Sequence, residues 1–163
     1  MRRLCAWCMG DLGDGPDPGE SDRPITHGIC EPCSLKVLGN TGIPMREFLG
    51  SLGVPTLLVT EDVVVERANP AASDMVGKSL DGITGKRGGE VFECENAALP
   101  GGCGQTPLCS ACTVRRTVTE TYQTGDSQVC VPVTLTVDTE GTPGEISFLI
   151  TTEKVGDRVL VQI

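Results

Sequence analysis

Val54-Pro55-Thr56-Leu57-Leu58-Val59-Thr60-Glu61-Asp62-Val63-Val64-Val65-Glu66-Arg67-Ala68-Asn69-Pro70-Ala71-Ala72 is the stretch on which the fold turns. Two short runs rich in β-branched and aliphatic residues flank Glu61-Asp62, a pattern that predicts a β-hairpin. Asn69-Pro70 then suits a helix start, with asparagine as N-cap and proline as first helical residue. Ala71 to Val76 continue that helix, and Gly77 stops it.

Downstream, residues 77–93 are rich in glycine, with a single turn expected at Asp81 to Ile83. Val114, Val118 and Tyr122 recur every fourth residue and mark one face of a helix that Gly125 closes. From Val129 to Val137 every odd position is apolar, the period of a half-buried strand. Gly141-Thr142-Pro143-Gly144 is the expected turn into a strand over 145–152, and Gly156-Asp157 leads to a last strand at Arg158 to Ile163. Upstream, Pro44 opens a short helix whose stripe is Met45, Phe48, Leu49 and Leu52, with Gly53 at its end. Gly39-Asn40-Thr41-Gly42 reads as a hinge before it.

The order of hairpin, short helices, longer helix and three antiparallel strands resembles that of the PAS sensory domain family. The 55–62 phrase is similar to the opening PAS strand and turn. Residues 65–72 resemble the second strand running into the characteristic Asn-Pro helix start, and residues 158–163 resemble the closing strand. The resemblance implies an α+β fold: a PAS-like five-stranded antiparallel sheet with helices on one face and a ligand or cofactor pocket between them. It breaks at residues 94–112, where a cysteine-rich loop precedes the long helix. With the only histidine, His27, outside this region, a flavin or haem has no ordinary placement here.

The chain has 163 residues, 39% hydrophobic and 21% charged, and a net charge of −9, which a soluble globular protein with a small appendage would show. An acidic chain repels phosphate backbones, and its basic clusters (Arg2-Arg3, Lys86-Arg87, Arg115-Arg116) are short, so nucleic-acid binding is not expected. No apolar run approaches the ~20 residues of a membrane span, and Met1-Arg2-Arg3-Leu4 runs directly into cysteines without an apolar signal core. The expected location is cytoplasmic. There the nine cysteines serve better as metal ligands or redox groups than as disulfides.

Eight of the nine form two groups of four. Cys5-x2-Cys8 and Cys30-x2-Cys33 match the two-knuckle zinc pattern, in which paired thiolates from two tight turns complete a tetrahedron. The glycine- and aspartate-rich segment between them cannot build its own core, so a metal would organise it. The segment resembles the four-cysteine zinc ribbons found with PAS domains in bacterial sensor kinases. Residues 1–42 are thus expected to form a zinc-ribbon-like module, and residues 43–163 the PAS-like domain. Trp7 and Ile29 are expected to pack against the site. A structural zinc staple is the plain reading of this site, with signalling or partner docking the alternative. His27 is read as a turn residue near the site, a ligand role being the alternative.

Cys94, Cys103, Cys109 and Cys112 form the second group, joined by glycine and proline. Four thiolates in this short run suit either a second zinc ion or an iron–sulfur cluster, whose cysteine spacings vary widely. Cys112 directly precedes the helix beginning at Thr113, where the helix dipole and Arg115 and Arg116 favour an anionic metal–thiolate centre. Cys130 is left over and is read as a small apolar residue on the strand face opposite Val129 and Val131.

One histidine cannot assemble a Ser/His/Asp or Cys/His catalytic set, and no phosphate-binding glycine loop follows a strand, so no enzyme activity is expected. The resemblance implies a stand-alone metal-binding signalling or sensor protein, with redox or oxygen sensing through residues 94–112. Its partner would be a sensor kinase or other signalling protein, or a second copy of the chain. A zinc-stabilised interaction module and a small iron–sulfur electron carrier are the alternatives.

Overall fold

The computed structural model describes residues 2–6, 8–14, 25–30, 33 and 45–163. The expected hinge at 39–42, Pro44 and Trp7 lie outside these residues.

The decisive stretch folds as read. Strands β4 (Thr56–Val59) and β5 (Val65–Ala68) pair antiparallel, and helix α2 (Pro70–Val76) follows. Asn69 caps α2 by accepting the Ala72 N–H, and Gly77 closes it at φ 67°, the left-handed conformation glycine adopts without penalty. Two one-turn helices, α3 (Leu80–Ile83) and α4 (Gly88–Val91), occupy the glycine-rich segment. Two 3₁₀ turns, Glu95–Ala98 and Pro107–Ala111, carry the cysteine loop into α5 (Thr113–Thr124), capped by Gly125. Strands β6 (Gln128–Thr139), β7 (Thr142–Val155) and β8 (Arg158–Gln162) complete a five-stranded antiparallel sheet of order β5-β4-β8-β7-β6.

The central strands β4 and β8 are buried on both faces. Leu57, Val59, Val159 and Val161 pack against the helices in the main core with Val65, Ile83, Val91, Val114, Val118 and Ile150. Leu58 and Leu160, one pleat out of phase, belong to a second core on the opposite face. Helix α1 (Met45–Ser51) lies there and inserts Phe48 and Leu49, with Leu52 just beyond its end.

Three expectations are corrected here. The β6–β7 turn is Glu140-Gly141, with Thr139 paired to Thr142, rather than Gly141 to Gly144. Both turn residues have positive φ (53° and 81°), the twist that lets a two-residue loop join right-handed strands. The alternation of β6 holds from Val131 onward but breaks at Cys130, which takes φ 51° where the β6–β7 register shifts. A bulge therefore replaces the simple face assignment of Cys130. The buried face of α5 is Val114, Thr117, Val118 and Thr121, while Tyr122 is half-buried. Thr121 goes inward because its hydroxyl meets that of Thr152 at 2.7 Å, which satisfies both polar groups.

Among the described residues, no helix is long and apolar enough to cross a membrane.

Candidate metal centres

The first centre is assembled by strand pairing. Strand β1 (Arg2–Cys5) lies between antiparallel β2 (Asp11–Asp14) and parallel β3 (Ile25–Gly28), with Leu4 opposite His27 and Cys5 opposite Gly28. That register brings Cys30 beside the first CxxC turn, its N–H on Cys5 Sγ at 3.4 Å. The first turn is closed by the Cys5 N–H on the Gly10 carbonyl at 2.7 Å, and Ala6 N–H reaches the Gly28 carbonyl at 2.8 Å. Sγ of Cys5, Cys8, Cys30 and Cys33 all lie within 4.8 Å of one another, with Cys8 and Cys30 3.7 Å apart. Four sulfurs at ~2.3 Å from a single ion stand about 3.8 Å apart along the tetrahedron edge, so the set fits one zinc ion. Burial and then the neighbouring thiols Cys30, Cys5 and Cys8 push the Cys33 thiol up. Thiolates this crowded ionise together only around a cation.

The centre is seated on the outer face of the sheet. Cys5, Ile29 and Cys33 are buried with Phe48, Leu49 and Leu52 and with Leu58, Val155 and Leu160 of the sheet. Ile29 packs where expected, while the His27 side chain lies outside the described structure.

Glu153, which no sequence motif singles out, reaches across from β7 and accepts the Ile29 N–H at 2.9 Å. Burial is the largest influence on it and raises its carboxyl above the ordinary value; the Ile29 N–H and the Arg3 charge pull the other way. A carboxyl raised on folding holds its proton more tightly in the folded state. Its contribution to stability is therefore fully present below the ordinary value of 4.5 and is lost as pH rises through the raised folded value. Glu153→Gln keeps an acceptor for Ile29 and cannot ionise. Urea unfolding of the zinc-loaded protein at increasing pH above that ordinary value should show a flatter decline in the variant than in the wild type. Identical slopes would contradict this account.

The second group is arranged differently. Cys94 precedes the first 3₁₀ turn and bridges to Val137 of β6, Cys109 lies in the second turn, and Cys112 is the N-cap of α5. Cys103 sits between the turns. Its Sγ accepts the Gly89 N–H at 3.3 Å, and a Cβ on Gly89 would lie 2.8 Å from that sulfur, closer than real contacts allow. Only glycine leaves room for this approach, a use of the Gly88-Gly89 doublet that sequence reading missed. Cys109 Sγ meets the Gly104 N–H at 3.3 Å and the Thr106 hydroxyl at 3.1 Å.

All four cysteines line one cavity of about 180 Å³, closed by Phe92, Val114 and Leu135 and by Gly88 and Gly89 of α4. Among the described residues, however, no three of these sulfurs lie within 4.8 Å of one another. Burial raises the Cys103 thiol, and the other three thiols add to that rise against the Gly89 N–H. For Cys109 burial acts upward too, but the Thr106 hydroxyl, the Gly104 and Thr106 N–H groups and the Arg115 charge outweigh it and hold this thiol below its usual value. Arg87 donates to the Cys103 carbonyl at 2.5 Å, and Arg115 is paired with Asp62 at 3.1 Å.

Cys130 joins neither group. Its N–H donates to the Thr151 hydroxyl at 3.2 Å, far along β6 from the cysteine loop.

The pocket implied between sheet and helices is filled. Leu57, Val59, Val65, Phe92, Phe148, Ile150, Val161 and their neighbours leave a void of about 10 Å³, too small for an organic cofactor. A roomier cavity lies at the cysteine loop.

No protein-family model and no curated protein matches the sequence. Among solved structures, the chain is similar to the PAS domain of nitrogen regulation protein NR(II) from Vibrio parahaemolyticus (19% identity, 74% of this chain and 95% of that one, TM-score 0.47). It is also similar to the photoactive yellow protein domain of the sensor histidine kinase Ppr from Rhodospirillum centenum (19%, 79% and 96%, TM-score 0.44). A third is the Rhodobacter sphaeroides LOV protein (17%, 72% of this chain and 62% of that one, TM-score 0.50). At such identities likeness speaks for architecture alone, and that architecture is a PAS-like α+β fold with a four-cysteine cluster beside it.

Proposed function

We propose that the chain is a metal-binding PAS-like sensor of the PAS family that signals through a protein partner, with residues 1–42 as a zinc-ribbon-like module and residues 43–163 as the sensor domain. The observation that carries this reading is the placement of four cysteines around one cavity while the ordinary PAS pocket is filled with side chains. That placement supports signal entry at residues 94–112, with redox state or oxygen as the signal in this reading. A zinc or iron–sulfur centre held by Cys94, Cys103, Cys109 and Cys112 would supply either thiolate reactivity or one-electron chemistry.

The chain's own residues supply the route outward. The loop is tied to β6 by the Cys94–Val137 bridge and by Asp138 N–H on the Glu93 carbonyl, and to α5 through Cys112. Releasing the sulfurs loosens both ties, and α5 lies across the sheet with Val118 fully buried. A sensor kinase, another signalling protein or a second copy of the chain would read the resulting change. At Cys5, Cys8, Cys30 and Cys33 the close convergence of four sulfurs favours a structural role, because four-thiolate zinc is redox-silent and has no open coordination position.

Hydrogen exchange tests the sensor reading. Amides of residues 94–112 and of the first turns of α5 are expected to lose protection when anaerobically prepared protein is exposed to air, while β4 and β8 remain protected. Equal protection in both states would overturn it.

A further inference from the structure

We infer that the cavity ringed by Cys94, Cys103, Cys109 and Cys112 holds an iron–sulfur cluster and not a single zinc ion. The inference rests on the reading of residues 94–112 as a metal centre and deepens it by naming the class of cofactor.

The chain carries its own internal standard. At the first centre four cysteine sulfurs contract until all lie within 4.8 Å, the size of a tetrahedron around one ion. At the second group four cysteines also line one cavity, yet among the described residues no three of their sulfurs come that close. A single ion needs its ligand sulfurs in mutual van der Waals contact. A cluster spreads its cysteine ligands over separate irons, so the sulfurs stand apart around the inorganic core.

The cavity agrees. Sulfurs around one zinc ion touch one another and leave no void among them, whereas the four cysteines here share the lining of a cavity of about 180 Å³. Iron and inorganic sulfide together fill such a volume; one ion does not.

The walls suit this occupant. Gly89 and Gly104 aim backbone N–H groups at Cys103 and Cys109, and Thr106 adds a hydroxyl, the donors that stabilise cluster sulfur. A twelve-residue helix begins directly after Cys112, so its N-terminal dipole faces the anionic centre. Arg87 and Arg115 both lie against Gly104, within 3.3 Å and 2.5 Å of the position a Cβ would take. Phe92, Val114 and Leu135 form the apolar side. These charges would favour any metal–thiolate centre; spacing and volume are what select the cluster. On assembly the four thiols lose their protons to solvent and their sulfurs bind iron.

Protein purified without oxygen and then incubated with an iron salt, inorganic sulfide and a thiol reductant provides the test. Iron, acid-labile sulfide and zinc are measured per chain, with visible absorption and electron paramagnetic resonance after reduction. The expected result is a brown protein with iron and sulfide together, plus one zinc from the first centre. Cys130→Ser should keep both. Cys109→Ser should lose iron and sulfide but not zinc, and Gly89→Ala, which crowds Cys103, should speed bleaching in air. A colourless wild-type protein with two zinc ions, unchanged by iron and sulfide, would overturn the cluster while leaving a metal centre at 94–112. A wild type with one zinc and no second metal of any kind would overturn both.

Discussion

Replacing Cys5 with serine is expected to abolish metal binding at the N-terminal cysteine cluster and to unfold the small sheet around it, while the PAS-like core stays folded. Cys5 is fully buried, is one of the four clustered sulfurs, and accepts the Cys30 N–H at 3.4 Å. Structural zinc supplies roughly 10–16 kcal/mol to small zinc-folded peptides at neutral pH, far more than a three-stranded sheet of four-residue strands can supply by burial. Loss of one thiolate removes most of that. The consequence reaches the PAS-like core, because the cluster packs with Phe48, Leu49, Leu58 and Leu160. Uncovering these side chains makes an apolar patch on the outer sheet face. Zinc titration should show binding at this cluster lost, an apolar dye should bind, and hydrogen exchange should rise at Leu4 and Ala6 but not at Val59 or Val159. Zinc retention with Leu4 and Ala6 still protected would refute the assignment of these four ligands.

Asn69→Ala is expected to cost about 3–5 kcal/mol, several times an ordinary cap replacement, because the side chain serves more than a helix end. Its Oδ1 accepts from both Ala72 and Thr56 N–H groups at 2.9 Å. Its Nδ2 donates to the carbonyls of Leu52, at 3.1 Å, and Val54, at 2.7 Å. Asn69 is 1% exposed, so water cannot replace these bonds. Cap loss accounts for ~0.5–2 kcal/mol, and the remainder comes from buried backbone groups left without partners. Denaturant unfolding would measure it. A loss under about 1 kcal/mol would mean that the bonds to Leu52 and Val54 contribute nothing beyond the cap.

Asn69 also marks the boundary of what sequence can disclose. Asn-Pro before an alanine run announces a helix start from local chemistry alone. That the same side chain ties Leu52 and Val54 to the start of β4 depends on where the chain has folded back. Gly77 and Gly125 were legible for the same local reason: left-handed helix ends demand glycine within one residue of a known place. Cys130 was misread because strand alternation assumes an unbroken ladder, and a bulge is decided by the partner strand. Glu153 escaped notice because an isolated glutamate in a strand carries no sign of the backbone N–H, 124 residues away in sequence, that it accepts.

For the metal centres the division is equally physical. CxxC spacing is a property of one tight turn, so the grouping of Cys5, Cys8, Cys30 and Cys33 could be read from the sequence alone, and their sulfurs do converge. Its seat on the outer sheet face could not, since Phe48, Leu58 and Leu160 come from three separate elements. In the second group the order of cysteines was visible, but four thiolates on a glycine-rich loop can close on one ion or stand apart around several. Sequence by itself determined which residues form elements, where they turn and which cysteines belong together, because those are short-range matters of backbone conformation and side-chain period. Only the tertiary structure decided that the ordinary pocket is filled, that a new cavity opens at residues 94–112, and how far apart its sulfurs stand, because those depend on how helices, loop and sheet share the same volume.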